Sequence, residues 1–176
     1  MFLYKKPLII AVIVASGLQA CKPGVASIDA QYFDLKGYFT GEIGRLSKTH
    51  PIVSKSVSHN DTAQSKSIRI SDWESELALF TGSDINKPAW RDGYSITETP
   101  DSIIYKALKP ELKVRELSIK RRSNKVTAIV ILNKTKNILY NSTEKLAYYP
   151  DSLYSIEKKQ DVSLIGINHY KIQGKF

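Results

Sequence analysis

The side chains in this chain that could do chemistry are few and scattered. The three histidines, His50, His59 and His169, lie far apart, and none has a partner at the spacing of a metal site. No phosphate-cradling G-x-x-x-x-G-K-[ST], no G-x-G-x-x-G and no nucleophile elbow G-x-S-x-G is present. Asp84-Ile85-Asn86 with Asp92 has the acidic flavour of a calcium loop, but lacks the glycine and the bidentate glutamate that such a loop needs. We therefore expect no catalytic residue, no metal and no cofactor. What remains is a set of basic and aromatic residues, Lys120, Arg121, Arg122, Lys125, Tyr148, Tyr149 and His169, suited to phosphate or carboxylate groups. Trp90, in the polar loop Ser83 to Gly93 beside Arg91, is either a plug on the core or, with Arg91, a recognition pair.

Those residues can act together only if the fold gathers them. Tyr32, Leu35, Phe39, Ile43 and Leu46 recur at helical spacing and predict a helix from about Asp29 to Ser47, capped by Ser27 or Asp29. Gly37, Gly41 and Gly44 weaken it by about 1 kcal/mol each relative to alanine, so they are expected to serve close packing. Ile52–Ser58 and Ser65–Ile70 read as a half-exposed hairpin. Ser71-Asp72-Trp73-Glu74 reads as a capping box opening a second helix that ends near Gly82.

Beyond Tyr94 the pattern is strands and short turns. The strand candidates are Ile103–Leu108, Leu112–Lys120, Val126–Leu132, Ile138–Tyr148, Leu153–Glu157 and Val162–Ile167, with Tyr170–Gly174 as a seventh. Connections this short make neighbours antiparallel, and no βαβ rhythm appears. The expected fold is α+β: two helices packed on a curved antiparallel meander of six to eight strands. Alternate turns of a meander lie at one end of the sheet. That places the turns at Ser123-Asn124, Tyr149–Ser152 and Asn168-His169 together, gathering the basic and aromatic residues there.

The N-terminus carries a different signal. Lys5 and Lys6 precede an apolar run from Pro7 to Gly17, and Leu18-Gln19-Ala20-Cys21 resembles the lipobox of bacterial lipoproteins, in which the cysteine is acylated. Cys21 is the only cysteine, so a lipidated chain has neither a free thiol nor a disulfide. The division expected is residues 1–20 as signal peptide, 21–28 as lipidated N-terminus and short tether, and 29–176 as one domain. Six tether residues reach about 20 Å when extended, which keeps the domain near its membrane. Loss of Lys5 and Lys6 lowers the formal charge from +9 to +7, still basic enough to favour an anionic surface.

With the lipobox, the stretches Tyr32-Phe33-Asp34-Leu35-Lys36-Gly37-Tyr38-Phe39 and Ser83-Asp84-Ile85-Asn86-Lys87-Pro88-Ala89-Trp90 make the chain similar to the small lipoproteins of Bacteroidetes. That resemblance implies an envelope location and nothing catalytic. Lys22 after the cysteine implies outer-membrane sorting, and the lack of an acidic run behind it implies a domain facing the periplasm. Asp61-Thr62-Ala63, Asp101-Ser102-Ile103 and Asp151-Ser152-Leu153 look like the O-glycosylation acceptors of such exported proteins. The expected partners are the membrane, through the anchor, and an envelope protein or anionic envelope component, with no nucleic acid. The leading expectation is a non-enzymatic binding or accessory protein. Behind it stand a carrier of lipid or another hydrophobic ligand, using a cavity between sheet and helices, and then a hydrolase with a spatially assembled site.

Overall fold

Nine strands join into one antiparallel sheet in the order β2-β1-β9-β8-β7-β6-β5-β4-β3. A computed structural model describes residues 31–60, 62–163 and 166–176. The residues read from the sequence as signal peptide, lipidation site Cys21 and tether lie outside the described residues. The strands are β1 Ile52–His59, β2 Thr62–Arg69, β3 Tyr94–Thr99, β4 Ser102–Ala107, β5 Val114–Arg122, β6 Lys125–Lys136, β7 Tyr140–Tyr149, β8 Leu153–Val162 and β9 Gly166–Lys175. From β3 to β9 they form a continuous meander. The earlier hairpin β1–β2 is then added beyond β9, through the β1–β9 pairing. The sheet thus exceeds the expected six to eight strands.

Among the described residues, three α-helical segments lie against one face: α1 Leu35–Thr49, α2 Trp73–Glu76 and α3 Ala78–Thr81. Among the described residues no helix is long and apolar enough to cross a membrane. Helix α1 starts at Leu35, not near Asp29, because side chains claim the backbone before it. Asn86 Oδ1 accepts from Tyr32 N at 3.0 Å, Tyr105 Oη accepts from Phe33 N at 3.0 Å, and Asn86 Nδ2 donates to Phe33 O at 3.0 Å. Asp34 is the cap, accepting from Gly37 N at 2.8 Å. Leu35, Phe39 and Leu46 are buried, as the stripe predicts.

Two of the three glycines of α1 differ from expectation, while Gly37 packs closely against the Asp34 side chain. A Cβ at Gly41 or Gly44 would meet nothing within 4 Å, so both face solvent and serve no close packing. The helix therefore persists through its buried stripe, where each fully buried large apolar side chain contributes about 1.5–3 kcal/mol. The second expected helix is broken at Leu77 into α2 and α3. Its cap is Asp72 rather than Ser71: Asp72 accepts from Ser75 N at 2.9 Å and from Ser75 Oγ at 2.6 Å.

Strand alternation places the core. On the helix-covered face, Ile103, Ile119, Ile129, Tyr148 and Tyr154 stand opposite one another across β4 to β8. One pleat down, Tyr105, Leu117, Ile131, Leu146 and Ile156 form a parallel line. Helix and sheet meet through rings: Phe39 lies 5.1 Å from Tyr148 and 4.9 Å from Phe80, and Trp73 lies 6.2 Å from Tyr154. These rings meet at the boundary where the sequence allows a cavity for a hydrophobic ligand.

Two carboxylates fasten the helices to that face. Tyr148 Oη donates to Glu42, which also takes two bonds from Arg45 at 2.8 and 2.9 Å. Arg45 reaches on to Asp151 in the β7–β8 turn at 2.8 Å. On the neighbouring strand Tyr154 Oη donates to Glu76 at 2.6 Å, and Lys55 of β1 pairs with Glu76 at 2.7 Å. Burial works against the charge on Glu42, but the hydrogen bonds from Arg45 and Tyr148 outweigh it and hold its pKa below the usual carboxylate value. Burial first, then the bond to its carboxylate partner, pushes each tyrosine hydroxyl far above its ordinary pKa.

Candidate functional site

The β5–β6 and β7–β8 turns lie at the same end of the sheet. Ser123 and Asn124 both have positive φ, 49° and 63°, as a two-residue hairpin turn matching strand twist requires. Asp151, at φ 56°, does the equivalent work in the Pro150–Ser152 turn. Lys120, Arg122 and Lys125 are exposed at this end, and Tyr149 is 38 % exposed. None of these three cations makes an ion pair among the described residues.

The other nominated residues fall elsewhere. Arg121 follows a bulge in the β5–β6 ladder and pairs with Glu98 of β3 at 2.8 Å. Tyr148 is fully buried on the helix-covered face, its hydroxyl held by Glu42, while its neighbour Tyr149 points the other way. His169 is at the opposite end of the sheet. The expected break after Glu157 does not exist, and β8 runs on to Val162. The last turn then falls after Val162, His169 lies inside β9, and its place is opposite Lys159. The gathered set is therefore Lys120, Arg122, Lys125 and Tyr149.

The loop around Trp90 is a clip between the helix and the sheet. Ile85 is fully buried, and Asn86 stitches the loop to Tyr32 and Phe33. Pro88–Trp90 forms a 3-10 turn, and Trp90 is half-buried against the core, its ring 6.5 Å from Tyr94. Lys87 Nζ lies 4.1 Å above the Trp90 ring. Trp90 is thus a partial plug, while Arg91 is exposed. Asp92 is taken up by Gln31 Nε2 at 3.0 Å.

The histidines do not converge. His50, at φ 45°, caps the C-terminus of α1 through its backbone N–H to Leu46 O. His59 stacks on Tyr170 at 4.5 Å and 6°, and its Nε2 lies 3.3 Å from Asn168 Oδ1. Among the described residues no three His, Cys, Asp or Glu side chains are grouped as a metal would need.

A polar row, buried at Asn133 and Glu144 and open to solvent at Tyr170 and His59, has no counterpart in the sequence reading. Asn133, Glu144, Lys158, Tyr170 and His59 stand opposite one another across β6, β7, β8, β9 and β1, one line beyond the apolar rows. Ser83 Oγ spends its proton on Leu79 O at 2.7 Å, so it must accept from Asn133 Nδ2 at 3.0 Å. That fixes the amide orientation. Asn133 Nδ2 also lies 3.4 Å from Glu144, whose other oxygen is 3.5 Å from Lys158 Nζ. Asn133 Oδ1 and Ser142 Oγ are buried and have no partner among the described residues, each at a cost of roughly 1–3 kcal/mol unless water or another donor meets it. The available signal was Asn133, Ser142 and Glu144 at inward positions of two otherwise apolar alternations. The arrangement has no nucleophile held by a base, so it reads as an internal polar joint.

A shallow cavity of about 360 Å³ lies where β1 and β2 meet α2, lined by Lys55, Ile68, Ile70, Asp72, Ser75 and Glu76. Its two central charges already pair with each other. Set beside known proteins, the chain matches no family model, no curated protein and no solved structure.

Proposed function

We propose that the protein is a membrane-anchored lipoprotein of the bacterial envelope, acting without catalysis as a binding or accessory subunit, with its basic sheet end as the contact surface. The anchor rests on Leu18-Gln19-Ala20-Cys21 and the apolar run before it. One observation supports the contact surface above others. Charges facing the core side are paired, as in Arg121–Glu98, Arg45–Glu42 and Lys55–Glu76, whereas Lys120, Arg122 and Lys125 are held exposed on a rigid hairpin beside Tyr149. Exposed cations with an aromatic neighbour suit a phosphate- or carboxylate-bearing partner in the periplasm.

In-cell crosslinking of the full chain, followed by mass spectrometry, tests the reading. Arg122→Glu with Lys125→Glu is expected to lower capture of the partner about tenfold or more, since each cation contributes roughly 1 kcal/mol near an anionic surface. The loss should shrink as salt rises. Cys21→Ala is expected to release the protein from the membrane fraction. Unchanged capture by the charge-reversed chain at low salt would reject the surface, and membrane retention of the Cys21→Ala chain would reject the anchor.

A further inference from the structure

At the end of the sheet opposite the basic turns, the β6–β7 hairpin carries two adjacent aliphatic side chains into solvent. Ile138 is 96 % exposed and Leu139 70 %. Ile167, at the start of β9 and at the same end, is 60 % exposed. The other exposed aliphatics, Ile52, Val57, Leu79, Ile96 and Leu108, are not adjacent to one another in the chain, and none is as exposed as Ile138 or Leu139.

The tip is built to hold this posture. Asn137 Oδ1 accepts from Leu139 N at 2.9 Å and Tyr140 N at 2.8 Å, and Asn137 N donates to Tyr140 O at 3.0 Å. Ser163 N donates to Leu139 O at 3.1 Å, tying the tip to the end of β8. These bonds satisfy the backbone of Leu139 and Tyr140, so the tip holds its side chains outward with few backbone groups to dry. Behind it, on one face of the sheet only, lies a collar of cations. Lys134, Thr143, Lys159 and His169 form one cross-strand line on the face away from the helices, and Lys136, Asn141, Asp161 and Ile167 form the next. Lys134, Lys136 and Lys159 are all exposed, against the single carboxylate Asp161.

We infer that the β6–β7 tip is a membrane wedge: Ile138 and Leu139 seat at the boundary between headgroups and acyl chains of an anionic bilayer while Lys134, Lys136 and Lys159 meet its headgroups. Apolar residues bury in the boundary region and lysines take the anionic lipid, the division of labour of interfacial binding. The collar's sign is what selects a lipid surface over a neutral apolar partner. The inference does not depend on acylation of Cys21.

The test uses the full chain carrying Cys21→Ser, in which an introduced cysteine is the only thiol. Leu139→Cys, or Thr127→Cys near the other end of β6, is labelled with an environment-sensitive fluorophore. Vesicles of phosphatidylcholine, with or without phosphatidylglycerol, carry a spin-labelled quenching lipid. The label at 139 is expected to shift to the blue and be quenched on anionic vesicles at low salt, while the label at 127 is not. Lys134→Glu with Lys136→Glu should weaken the response at 139 about tenfold or more, and Ile138→Ser should weaken it without altering the fold. Absence of quenching at 139 on anionic vesicles overturns the inference. So does an equal response on neutral vesicles that ignores the charge reversal. Shielding of the label without vesicles as protein concentration rises would show instead that a second copy of the chain covers the tip.

Discussion

Replacing Gly174 by alanine should cost this fold more than any exposed substitution, and the reason lies in one ring. Gly174 of β9 stands directly opposite Tyr154 of β8, and a Cβ built there would lie 2.2 Å from Tyr154 Cε1, 2.3 Å from Cζ and 2.5 Å from Oη. Carbon atoms in contact need about 3.5–4.0 Å, so the ring must move by more than 1 Å. It has nowhere to go. Tyr154 is fully buried, edge-on to Trp73 at 6.2 Å, beside Phe176 at 6.1 Å, and bonded to Glu76 at 2.6 Å. Overpacking of this kind costs about 1–3 kcal/mol. Loss of a hydrogen bond to a charged acceptor costs roughly 1.5–3 kcal/mol more, and alanine in a strand returns up to about 1 kcal/mol relative to glycine. The net expectation is a loss of about 2–5 kcal/mol. Urea unfolding followed by tryptophan fluorescence measures it, because Trp73 reports on the same cluster. In Gly174→Ala with Tyr154→Leu the two changes should be non-additive, the second relieving part of the first. A Gly174→Ala protein as stable as the parent would refute the steric reasoning outright.

Helix α1 should respond in the opposite direction. Gly41→Ala and Gly44→Ala put a methyl group into open space, so each is expected to raise stability by up to about 1 kcal/mol, read as a higher urea midpoint at unchanged slope. Acid should act through Glu42. Because its pKa is depressed in the folded state, the stability that its charge supplies is fully present above the unfolded value near 4.5 and is lost as pH falls through the folded value. Glu42→Gln is accordingly expected to lower stability at neutral pH and to flatten the fall below about pH 4.5; an acid limb as steep as the parent's would count against Glu42 as its source.

Where apolar alternation was strong, the strands were legible. Ile103, Tyr105, Leu117, Ile119, Ile129 and Ile131 mark β4, β5 and β6 without help from the structure. The reading failed where the helix-covered face turns polar. Lys158 and Gln160 occupy inward positions of β8, so the strand looked as if it ended at Glu157. That one boundary moved the following turn, and with it His169, to the wrong end of the sheet. Strand β3 was missed because its residues after Tyr94 are exposed at a sheet edge and carry no burial pattern. Sequence also could not separate Tyr148 from Tyr149. Adjacent strand residues point to opposite faces, and only the register says which one meets Glu42. The cations Lys120, Arg122 and Lys125 were legible because a hairpin turn brings them together locally, whereas the Asn133–Glu144–Lys158 row needs three strands in register.

The pairing of β1 with β9 has a consequence for how the chain acquires its structure. Synthesis delivers residues 52–69 early, yet their partner strand, 166–175, arrives about a hundred residues later. Until then the hairpin β1–β2 has only itself, and a lone two-stranded hairpin is marginal in water. Lys55 likewise waits to meet the completed Tyr154–Glu76 contact. Such long-range closure gives a high contact order and a slow final step. During that interval the edge of β1 that later takes β9 remains available for wrong pairings. Strand β9 is thus the one element through which the hairpin and the meander become a single sheet.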